Sequence, residues 1–224
     1  MSGNRSPLLD SVDAVLFDLD GTLLDSARDL VRVLLVVCDE EEQPRPDPGI
    51  AGRYVSHGAV GLIKHAFPGI DDDNLERLRQ RLVDLYEQEL VVDTRAYDGV
   101  AEMLATLEER DIQWGIVTNK MRYLAAPIVA HFGWMTRCRT LVGGDTAARN
   151  KPSPDPVLYA LEELGIAPAR AAYVGDAAKD ILAGRAAGAT TVGVTWGYVP
   201  PGDPLPHEWD ADYTIDHPQE LLAL

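Results

Sequence analysis

The chain has 224 residues, with 20 Lys and Arg against 36 Asp and Glu, and a formal net charge of −16 at pH 7. This length fits one large domain, or one domain with a sizeable insertion. A chain of this length can bury a stable core without disulfides or structural metal ions. The acidic excess argues against nucleic acid or an anionic membrane as a partner, because both attract basic surfaces.

Cysteine content and the N-terminal sequence bear on the compartment. Cys38 and Cys138 are the only cysteines, too few and too far apart for a disulfide framework or a cysteine metal cluster. Residues 1–13 contain no apolar segment of the secretory type. No stretch approaches the roughly 18 consecutive apolar residues that a membrane span needs. We therefore expect a reduced, cytoplasmic protein with no membrane partner.

The first part of the chain predicts one strand followed by helices. Residues 12–17 (VDAVLF) form a short apolar run typical of a buried strand, and an acidic loop at 18–22 follows. The predicted helices cover residues 27–42, 57–67 and a segment from 71 onward. Ser26 is a suitable N-cap for the first of them, which ends at three prolines within residues 44–48. No convincing strand is found between residues 27 and 92.

From residue 97 onward, strands and helices alternate. The predicted strands cover residues 113–118, 140–142, 171–174, 191–195 and 213–215, and the predicted helices cover 100–109, 121–132, 155–164 and 179–187. Continuous apolar strands that alternate with amphipathic helices are typical of a doubly wound parallel sheet. The sequence therefore predicts an α/β fold in which a helical insertion separates the first strand from the rest of the sheet.

Polar residues follow four of the predicted strands. They are Asp18 and Asp20 after the first strand, Thr118, Asn119 and Lys120 after the second, Gly143, Gly144, Asp145 and then Lys151 after the third, and Gly175, Asp176 and Asp180 after the fourth. Ligands of open parallel sheets bind beyond the carboxyl ends of the strands. The predicted topology therefore gathers several carboxylates, a hydroxyl and at least one lysine at one edge.

These residue types point to phosphoryl chemistry. Carboxylates that share a pocket repel one another unless a cation lies among them. A ligand set made only of oxygens, without His or Cys, favours Mg²⁺ over zinc, and Mg²⁺ commonly joins protein carboxylates to substrate phosphate oxygens. Thr118 and Lys151 would offer a hydroxyl and a positive charge to the remaining phosphoryl oxygens. We therefore predict a Mg²⁺-dependent phosphoryl-transfer site.

Two carboxylates divide the predicted chemistry between them. Asp18, which directly follows the strand, would attack phosphorus and form an aspartyl-phosphate that water later hydrolyses. Asp20 projects to the same side two residues later, where it would protonate the leaving oxygen and then deprotonate the attacking water. Mg²⁺, Lys151 and Thr118 would stabilise the negative charge of the phosphoryl group during its transfer.

Four segments resemble, in order, the four signatures of the haloacid dehalogenase-like hydrolases. They are residues 18–26 (DLDGTLLDS), 118–120 (TNK), 151–152 (KP) and 175–180 (GDAAKD). The resemblance extends over residues 12–222. It implies a Rossmann-like doubly wound parallel-sheet core, residues 1–26 and 95–224, with a small α-helical cap, residues 27–94, inserted after the first strand.

The same resemblance implies a set of site residues. Mg²⁺ would be bound by Asp18, the backbone oxygen of Asp20 and Asp176, with Asp180 among or next to the groups that surround these ligands. An acid at position 20 disfavours dehalogenase and phosphonate-cleaving relatives. We therefore expect a phosphomonoester hydrolase with Asp18, Asp20, Thr118 and Lys151 as catalytic residues.

The substrate is less sharply indicated. Residues 52–59 and 195–198 resemble bacterial phosphoglycolate phosphatases, whereas residues 184–188 and 209–215 also resemble a sister group that hydrolyses N-acetylmuramic acid 6-phosphate. 2-Phosphoglycolate is the leading candidate substrate. N-acetylmuramic acid 6-phosphate, or another sugar phosphate turned over by a phosphatase or phosphomutase, is the alternative.

Several further residues are candidates for contact with the substrate, namely Asn119, Gly175, Asp180, Arg53 and His57. Arg53 and His57 belong to the predicted cap, where they could bind a carboxylate or sugar hydroxyls, and a surface role fits each equally well. A non-catalytic phosphate-binding protein or receiver-type phospho-acceptor fits less well, because receivers are shorter and lack an acid two residues after the acceptor. The expected partner is a small phosphorylated metabolite, with no nucleic acid, and the chain would be a monomer or homodimer.

Overall fold

The computed structural model describes residues 8–224, so residues 1–7, which belong to the predicted core and to the N-terminal segment for which no secretory signal is predicted, lie outside the described residues. In chain order the strands are β1 (Ala14–Phe17), β2 (Leu24–Asp25), β3 (Arg95–Ala96), β4 (Gln113–Val117), β5 (Leu141–Val142), β6 (Ala171–Gly175), β7 (Thr190–Val194) and β8 (Tyr213–Ile215). Six of them form one sheet in the order β5-β4-β1-β6-β7-β8, and all neighbouring pairs in it are parallel. β2 and β3 form a separate antiparallel pair.

Along the chain, helices precede and follow the strands. They are α1 (Leu8–Ser11), α2 (Ala27–Glu40), α3 (Pro48–Gly52), α4 (Gly58–Ala66), α5 (Asp72–Gln88), α6 (Val100–Glu109), α7 (Arg122–His131), α8 (Asp155–Leu164) and α9 (Ala178–Ala187). Short 3₁₀ helices occur at Arg53–His57, Pro168–Arg170, Pro206–Glu208 and Pro218–Ala223. Within residues 8–224, none of these helices is long and apolar enough to cross a membrane.

The position of β1 follows from its composition. All four residues of this strand, AVLF, are completely buried. A strand that is apolar on both faces is stable only where other strands flank it and helices cover both faces. β1 accordingly pairs with β4 on one side and with β6 on the other, although both come much later in the chain. The predicted doubly wound parallel sheet is therefore confirmed.

A helical insertion, residues 27–94 with helices α2 to α5, lies between β2 and β3. Because Leu24 pairs with Ala96 and Asp25 with Arg95, the chain enters and leaves the insertion through adjacent backbone segments. Such a connection lets a whole insertion be added to a sheet without disturbing the strand order. The exact division into a core and a cap at residues 26/27 and 94/95 stays a prediction.

Some local structure differs from the sequence-based expectation. The proline-rich segment after α2 was predicted only as a helix stop, but α3 begins within it at Pro48. Proline suits the first turn of a helix because its missing N–H would have no helical partner there. The Asp47 carboxylate caps this helix by accepting a hydrogen bond of 2.9 Å from the Ile50 N–H. The β2–β3 pair was also not predicted.

The two cysteines are free and lie apart from the strand ends. Cys38 is buried in α2, and Cys138 is partly buried in the segment before β5. Burial raises the pKa of both thiols, that of Cys138 to about 11. Both thiols are therefore neutral and weakly nucleophilic at physiological pH.

A buried carboxylate ties α2 to the end of the insertion. Asp29 is fully buried, and its oxygens accept hydrogen bonds from the Val92, Asp93 and Thr94 N–H groups at 2.9–3.1 Å. The Thr94 hydroxyl donates another at 2.6 Å. Burial alone would raise the pKa of Asp29, but these hydrogen bonds hold it below its ordinary value. The carboxylate thus fixes the segment through which the chain returns to β3.

We expect Asp29→Ala to lower the free energy of unfolding by about 3 kcal/mol, because several buried N–H donors lose their acceptor. For a chain of this size the melting temperature should fall by roughly 6–12 °C. Since the pKa of Asp29 is lowered in the folded state, its contribution is complete above about pH 4 and is lost as the pH falls through the folded value. Thermal unfolding measures the effect, with Asp73→Ala on the exposed first turn of α5 as control. Equal melting temperatures for the two variants at pH 7 would contradict this role.

Candidate active site

The strand order brings the predicted site residues together. β4, β1 and β6 are neighbours, and in this register Phe17 lies opposite Ile116 on one side and Val174 on the other. The residues that follow these three strands, beginning with Asp18, Thr118 and Asp176, therefore leave the sheet at the same edge. This edge lies at the point where the chain reverses its direction of winding, where doubly wound sheets bind ligands.

Three carboxylates form the centre of this edge. Asp18, Asp176 and Asp180 are buried, and each offers a carboxylate oxygen within 4.8 Å of the others. Burial, together with the negative charges of Asp18 and Asp180, raises the pKa of Asp176 well above its ordinary value. Burial also raises the pKa of Asp180. A triad of oxygen donors that repel one another could bind a metal ion, whose charge would allow all three to ionise together.

Lys151 lies within this acidic cluster. Its ammonium group is 3.0 Å from Asp18 Oδ1 and 2.7 Å from Asp180 Oδ1, and its side chain is completely buried. It also donates hydrogen bonds to the Val117 carbonyl at 2.9 Å and the Tyr173 hydroxyl at 2.8 Å. Burial opposes the charge of Lys151, but Asp18 and Asp180 raise its pKa well above the ordinary value. The site therefore contains a permanent positive charge.

The segment after β4 supports Lys151 from the other side. Asn119 Oδ1 accepts a hydrogen bond from the Lys151 N–H, and Asn119 Nδ2 donates one to the Lys151 carbonyl, both at 3.1 Å. Thr118 is buried, and its hydroxyl oxygen accepts a hydrogen bond of 3.1 Å from the Lys120 N–H. The geometry thus gives Asn119 a clear structural task, the placement of the Lys151 backbone, whereas the sequence predicts it as a candidate for contact with the substrate.

Two glycines allow the acidic loops to approach one another. Gly21 has a φ of +87°, and a Cβ atom there would lie 2.1 Å from Asp176 Oδ2. A Cβ on Gly175 would lie 2.3 Å from the Asp180 Cβ. Any larger residue at either position would push the carboxylates apart. Gly175, predicted as a possible substrate contact, therefore acts here through close packing.

Asp176 is also held by residues that the sequence did not single out as its partners. The Thr22 hydroxyl donates to Asp176 Oδ1 at 3.2 Å, and the Tyr198 N–H donates to Oδ2 at 2.9 Å. Tyr198 lies in the segment 195–198, for which the sequence predicts no contact with the carboxylates. Its hydroxyl also donates to Asp25 Oδ1 at 2.8 Å and accepts from the Ser26 N–H at 2.8 Å. One tyrosine thus connects the carboxylate cluster to the start of the helical insertion.

Asp20 has surroundings different from those of the carboxylate triad. Its Oδ1 accepts a hydrogen bond of 2.5 Å from the Ser26 hydroxyl and is 2.8 Å from the Lys120 ammonium group. Lys120 also donates to the Tyr86 hydroxyl of α5 at 2.9 Å. Burial opposes the charge of Lys120, but Asp20 and Tyr86 raise its pKa above the ordinary value. The predicted topology places Lys120 at this edge, but the sequence indicates no role for it.

A cavity of about 450 Å³ opens between this edge and the helical insertion. Asp18, Asp20, Thr118 and Asn119 line the side formed by the strand ends. The side formed by the insertion carries apolar residues, Val60, Leu82 and Val83. Positive or potentially positive groups line the cavity on both sides, namely Arg79 and His57 of the insertion and Lys120 and Lys179 of the segments after β4 and β6. The cavity therefore offers acidic chemistry at one end and cationic, partly apolar walls elsewhere.

The two candidates from the predicted cap lie in different places. His57 lines the cavity, and its Nε2 is 2.7 Å from Asp203 Oδ2, so it also links the insertion to the segment after β7. Arg53 does not reach this cavity. Its Nε donates to the Val199 carbonyl at 2.6 Å, and it lines a separate cavity of about 660 Å³ along α2 and α3. None of the strand-end carboxylates Asp18, Asp20 and Asp176 lines that larger cavity.

The fold and the residues at its strand ends define a family of hydrolases. The sequence model of the family described as haloacid dehalogenase-like hydrolase matches residues 15–194. The chain therefore belongs to the haloacid dehalogenase-like hydrolases, and the predicted resemblance is confirmed.

Individual relatives carry two different names. An N-acetylmuramic acid 6-phosphate phosphatase of Pseudomonas aeruginosa is 41% identical over 210 residues, which cover 93% of this chain and 92% of that protein. A phosphoglycolate phosphatase of Xanthomonas campestris is 42% identical over 208 residues, with coverages of 93% and 94%. Among solved structures, a predicted phosphoglycolate phosphatase from Haemophilus somnus matches with a TM-score of 0.84 and 27% identity. That match covers 95% of this chain and 97% of the other.

These findings confirm the predicted fold class, family and hydrolase type. The structure brings together Asp18, Asp20, Thr118, Asn119, Lys151, Gly175, Asp176 and Asp180, and it places His57 on the facing wall. The chemical role of each of these residues stays a prediction.

Proposed function

We propose that this chain is a phosphomonoester hydrolase that works through a phosphorylated Asp18. The observation that carries the proposal is the position of Lys151, which is buried between Asp18 and Asp180 beside Asp176. Such a site combines a carboxylate nucleophile with a fixed positive charge and a set of oxygen donors for a cation. This combination suits the transfer of a phosphoryl group, in which positioning and charge neutralisation supply most of the acceleration.

The two oxygens of Asp18 have different surroundings. Oδ1 accepts a hydrogen bond of 2.7 Å from the Leu19 N–H and is paired with Lys151. In the described residues, Oδ2 has no hydrogen-bond donor, and it is therefore the oxygen that would attack phosphorus. The Lys151 ammonium group would hold the carboxylate in one orientation and would balance negative charge on the transferring phosphoryl group.

Asp20 would move the proton. As the bond between phosphorus and the leaving oxygen breaks, its electron pair stays on that oxygen, which takes the proton of Asp20. Asp20 would then accept a proton from the water that attacks the aspartyl-phosphate. The oxygen of the Thr118 hydroxyl, at the end of β4, accepts from the Lys120 N–H, and its O–H would donate a hydrogen bond to a phosphoryl oxygen.

The cation that this site would take is Mg²⁺. The donors are carboxylate and backbone oxygens alone, which suits a hard ion. Burial, together with the charges of Asp18 and Asp180, raises the pKa of Asp176. Asp18, Asp176 and the backbone oxygen of Asp20 would hold the ion, with Asp180 beside them. When bound, it would supply positive charge that neutralises the phosphate of the substrate.

Two substrates follow from the names of the relatives. The resemblance of residues 52–59 and 195–198 to phosphoglycolate phosphatases makes 2-phosphoglycolate the first candidate. The cavity favours the second candidate, N-acetylmuramic acid 6-phosphate, because about 450 Å³ is far more than a two-carbon acid needs. Pockets in the range of roughly 300–1,000 Å³ hold ligands of the size of a substituted sugar. The cationic walls of this cavity would also suit a carboxylate group, which both substrates carry.

The test is a comparison of kcat/KM for these two monoesters and for a plain hexose 6-phosphate, with Mg²⁺ and with EDTA. We expect Mg²⁺-dependent phosphate release, with the highest kcat/KM for one of the two named substrates. EDTA should abolish turnover, and added Mg²⁺ should restore it. The absence of phosphate release from every monoester, or full activity in EDTA, would contradict the proposal.

A further inference from the structure

Lys120 connects three segments that are distant in the sequence. It follows β4, and its ammonium group lies 2.8 Å from Asp20 Oδ1, after β1, and 2.9 Å from the Tyr86 hydroxyl on α5. The same ammonium group is 4.7 Å from the centre of the Tyr86 ring. The exposed fractions of the Lys120 and Asp20 side chains are only 8% and 15%, and Tyr86 is 1% exposed. All three line the cavity described above.

We propose that Lys120 is a positioning residue that orients the Asp20 carboxylate for proton transfer, and that Tyr86 makes this orientation depend on the placement of α5. The inference rests on the proposed role of Asp20 and extends it to a residue of the helical insertion. Lys120 itself would touch neither the reacting phosphorus nor the leaving oxygen.

The orientation of Asp20 follows from its hydrogen bonds. Ser26 and Lys120 both hold Oδ1, so that Oδ2 is the oxygen available to the cavity. A hydrogen bond donated by an ammonium group is stronger than one between neutral groups, and more so where water is scarce, and Oδ1 can accept it while Oδ2 carries the proton that Asp20 transfers. Without Lys120, the Ser26 hydroxyl alone would not fix the carboxylate plane. Proton transfer requires a placement within hydrogen-bond reach of the leaving oxygen, so a freely rotating carboxylate would transfer the proton less often.

Tyr86 gives Lys120 its own orientation. Its hydroxyl accepts one ammonium hydrogen bond, and its ring face attracts the same positive charge. Since Tyr86 lies on α5, a displacement of this helix would remove both contacts at once. Lys120 would then lose part of what directs it toward Asp20. Asp20 would thus be correctly oriented for proton transfer only when α5 closes the cavity.

The alternative is that Lys120 is only a strut between the strand ends and the insertion. The two roles differ in their dependence on the leaving group. Proton donation matters for an alkyl phosphate, whose leaving alkoxide is strongly basic, and matters little for p-nitrophenyl phosphate, whose leaving phenolate is stable without a proton. A strut would affect both esters equally.

The experiment measures kcat/KM of Lys120→Met for a sugar phosphate and for p-nitrophenyl phosphate, since kcat/KM includes the departure of the leaving group. We expect kcat/KM to fall by about 10–100-fold for the sugar phosphate, because the loss of Lys120 would remove only part of the effect of the general acid. For the aryl ester, kcat/KM should fall by about threefold or less. Lys64→Met is the matched control, because Lys64 is exposed on α4 and does not line the cavity. It should change neither value by more than about twofold. Equal losses for both esters in Lys120→Met would overturn the inference.

Tyr86→Phe provides a milder version of the same test and serves if Lys120→Met does not fold. It removes the hydroxyl acceptor but keeps the ring, so we expect a loss of about 3–10-fold for the sugar phosphate and no significant loss for the aryl ester. Tyr159→Phe, on an exposed part of α8, is its control. A Tyr86→Phe enzyme with wild-type kcat/KM for the sugar phosphate would overturn the part of the inference that concerns α5.

A double-variant cycle separates this inference from the proposed function. In an Asp20→Asn background there is no carboxylate proton to direct, so Lys120→Met should add less than about threefold to the loss. If Asp20→Asn alone leaves kcat/KM unchanged, the proposed role of Asp20 is wrong, and the inference fails with it. If Asp20→Asn is inactive while Lys120→Met is fully active, only the role of Lys120 is wrong.

Discussion

Asp18→Asn is expected to lower kcat for phosphate release by at least about a thousandfold while the protein remains folded. The amide is nearly isosteric with the carboxylate but is not a nucleophile toward phosphorus, so no aspartyl-phosphate can form. The substitution removes one of three buried carboxylates that repel one another, while Lys151 keeps its ion pair with Asp180. The free energy of unfolding should therefore stay the same or rise. Steady-state phosphate release and thermal unfolding measure the two effects.

Asp13→Asn is the matched control for this variant. Asp13 directly precedes the opposite end of β1 and forms an exposed ion pair with Arg170. Exposed ion pairs contribute little, so the change should cost less than about 1 kcal/mol and leave kcat unchanged. Acid-quenched wild-type enzyme should carry a phosphate on the peptide that contains Asp18, as detected by mass spectrometry, and the Asp18→Asn enzyme should not. An Asp18→Asn enzyme that still released phosphate at the wild-type rate would exclude Asp18 as the nucleophile.

The edge at which the site forms could be predicted because it depends on short-range information. Each apolar strand and the polar residues that follow it are adjacent in sequence, and parallel strands end at the same edge. The strand assignments and one rule of topology are therefore enough to predict that Asp18, Thr118 and Asp176 lie at the same edge. The order β5-β4-β1-β6-β7-β8 then makes three of these strand ends neighbours.

The contacts that depend on distant segments could not be predicted in the same way. The pairs Lys120–Tyr86 and Arg53–Val199 join residues 34 and 146 positions apart in the chain. Nothing in the local sequence of either partner fixes their separation, because it depends on how the insertion sits over the sheet. For the same reason, Arg53 and His57 could be assigned to the same predicted cap from sequence, although only His57 reaches the cavity.

The net charge of −16 is not shared by the cavity, where positive side chains offset the carboxylates. Cationic side chains of the cavity, Arg79, Lys120 and Lys179, face the carboxylates of the strand ends, and Lys151 lies buried among those carboxylates. An anionic substrate in this cavity would thus have positive groups beside it as well as carboxylates. The acidic excess on the rest of the surface does not oppose binding much, because salt screens exposed charges beyond about 8–10 Å.

Lys151→Met is expected to impair both catalysis and stability. Catalysis should fall by about 10²–10³-fold in kcat, the usual cost of removing one donor that stabilises developing charge. The free energy of unfolding should fall by roughly 3–5 kcal/mol, because the substitution leaves buried carboxylates without their cation. The free energy of unfolding should be measured without divalent metal, and kcat should be measured with Mg²⁺. Wild-type kcat in Lys151→Met would contradict the proposed charge-balancing role of this lysine.

A second substitution distinguishes the two effects of Lys151. Asp180 Oδ1 lies 2.7 Å from the ammonium group, and burial raises the pKa of Asp180. Asp180→Asn in the Lys151→Met background removes one uncompensated charge and should restore about half of the lost stability, since Asp18 remains without a partner. It should restore no activity, because the positive charge beside Asp18 is still missing. Recovery of kcat together with stability would show that Lys151 acts on the fold alone, and the proposed mechanism would then lose its source of fixed positive charge.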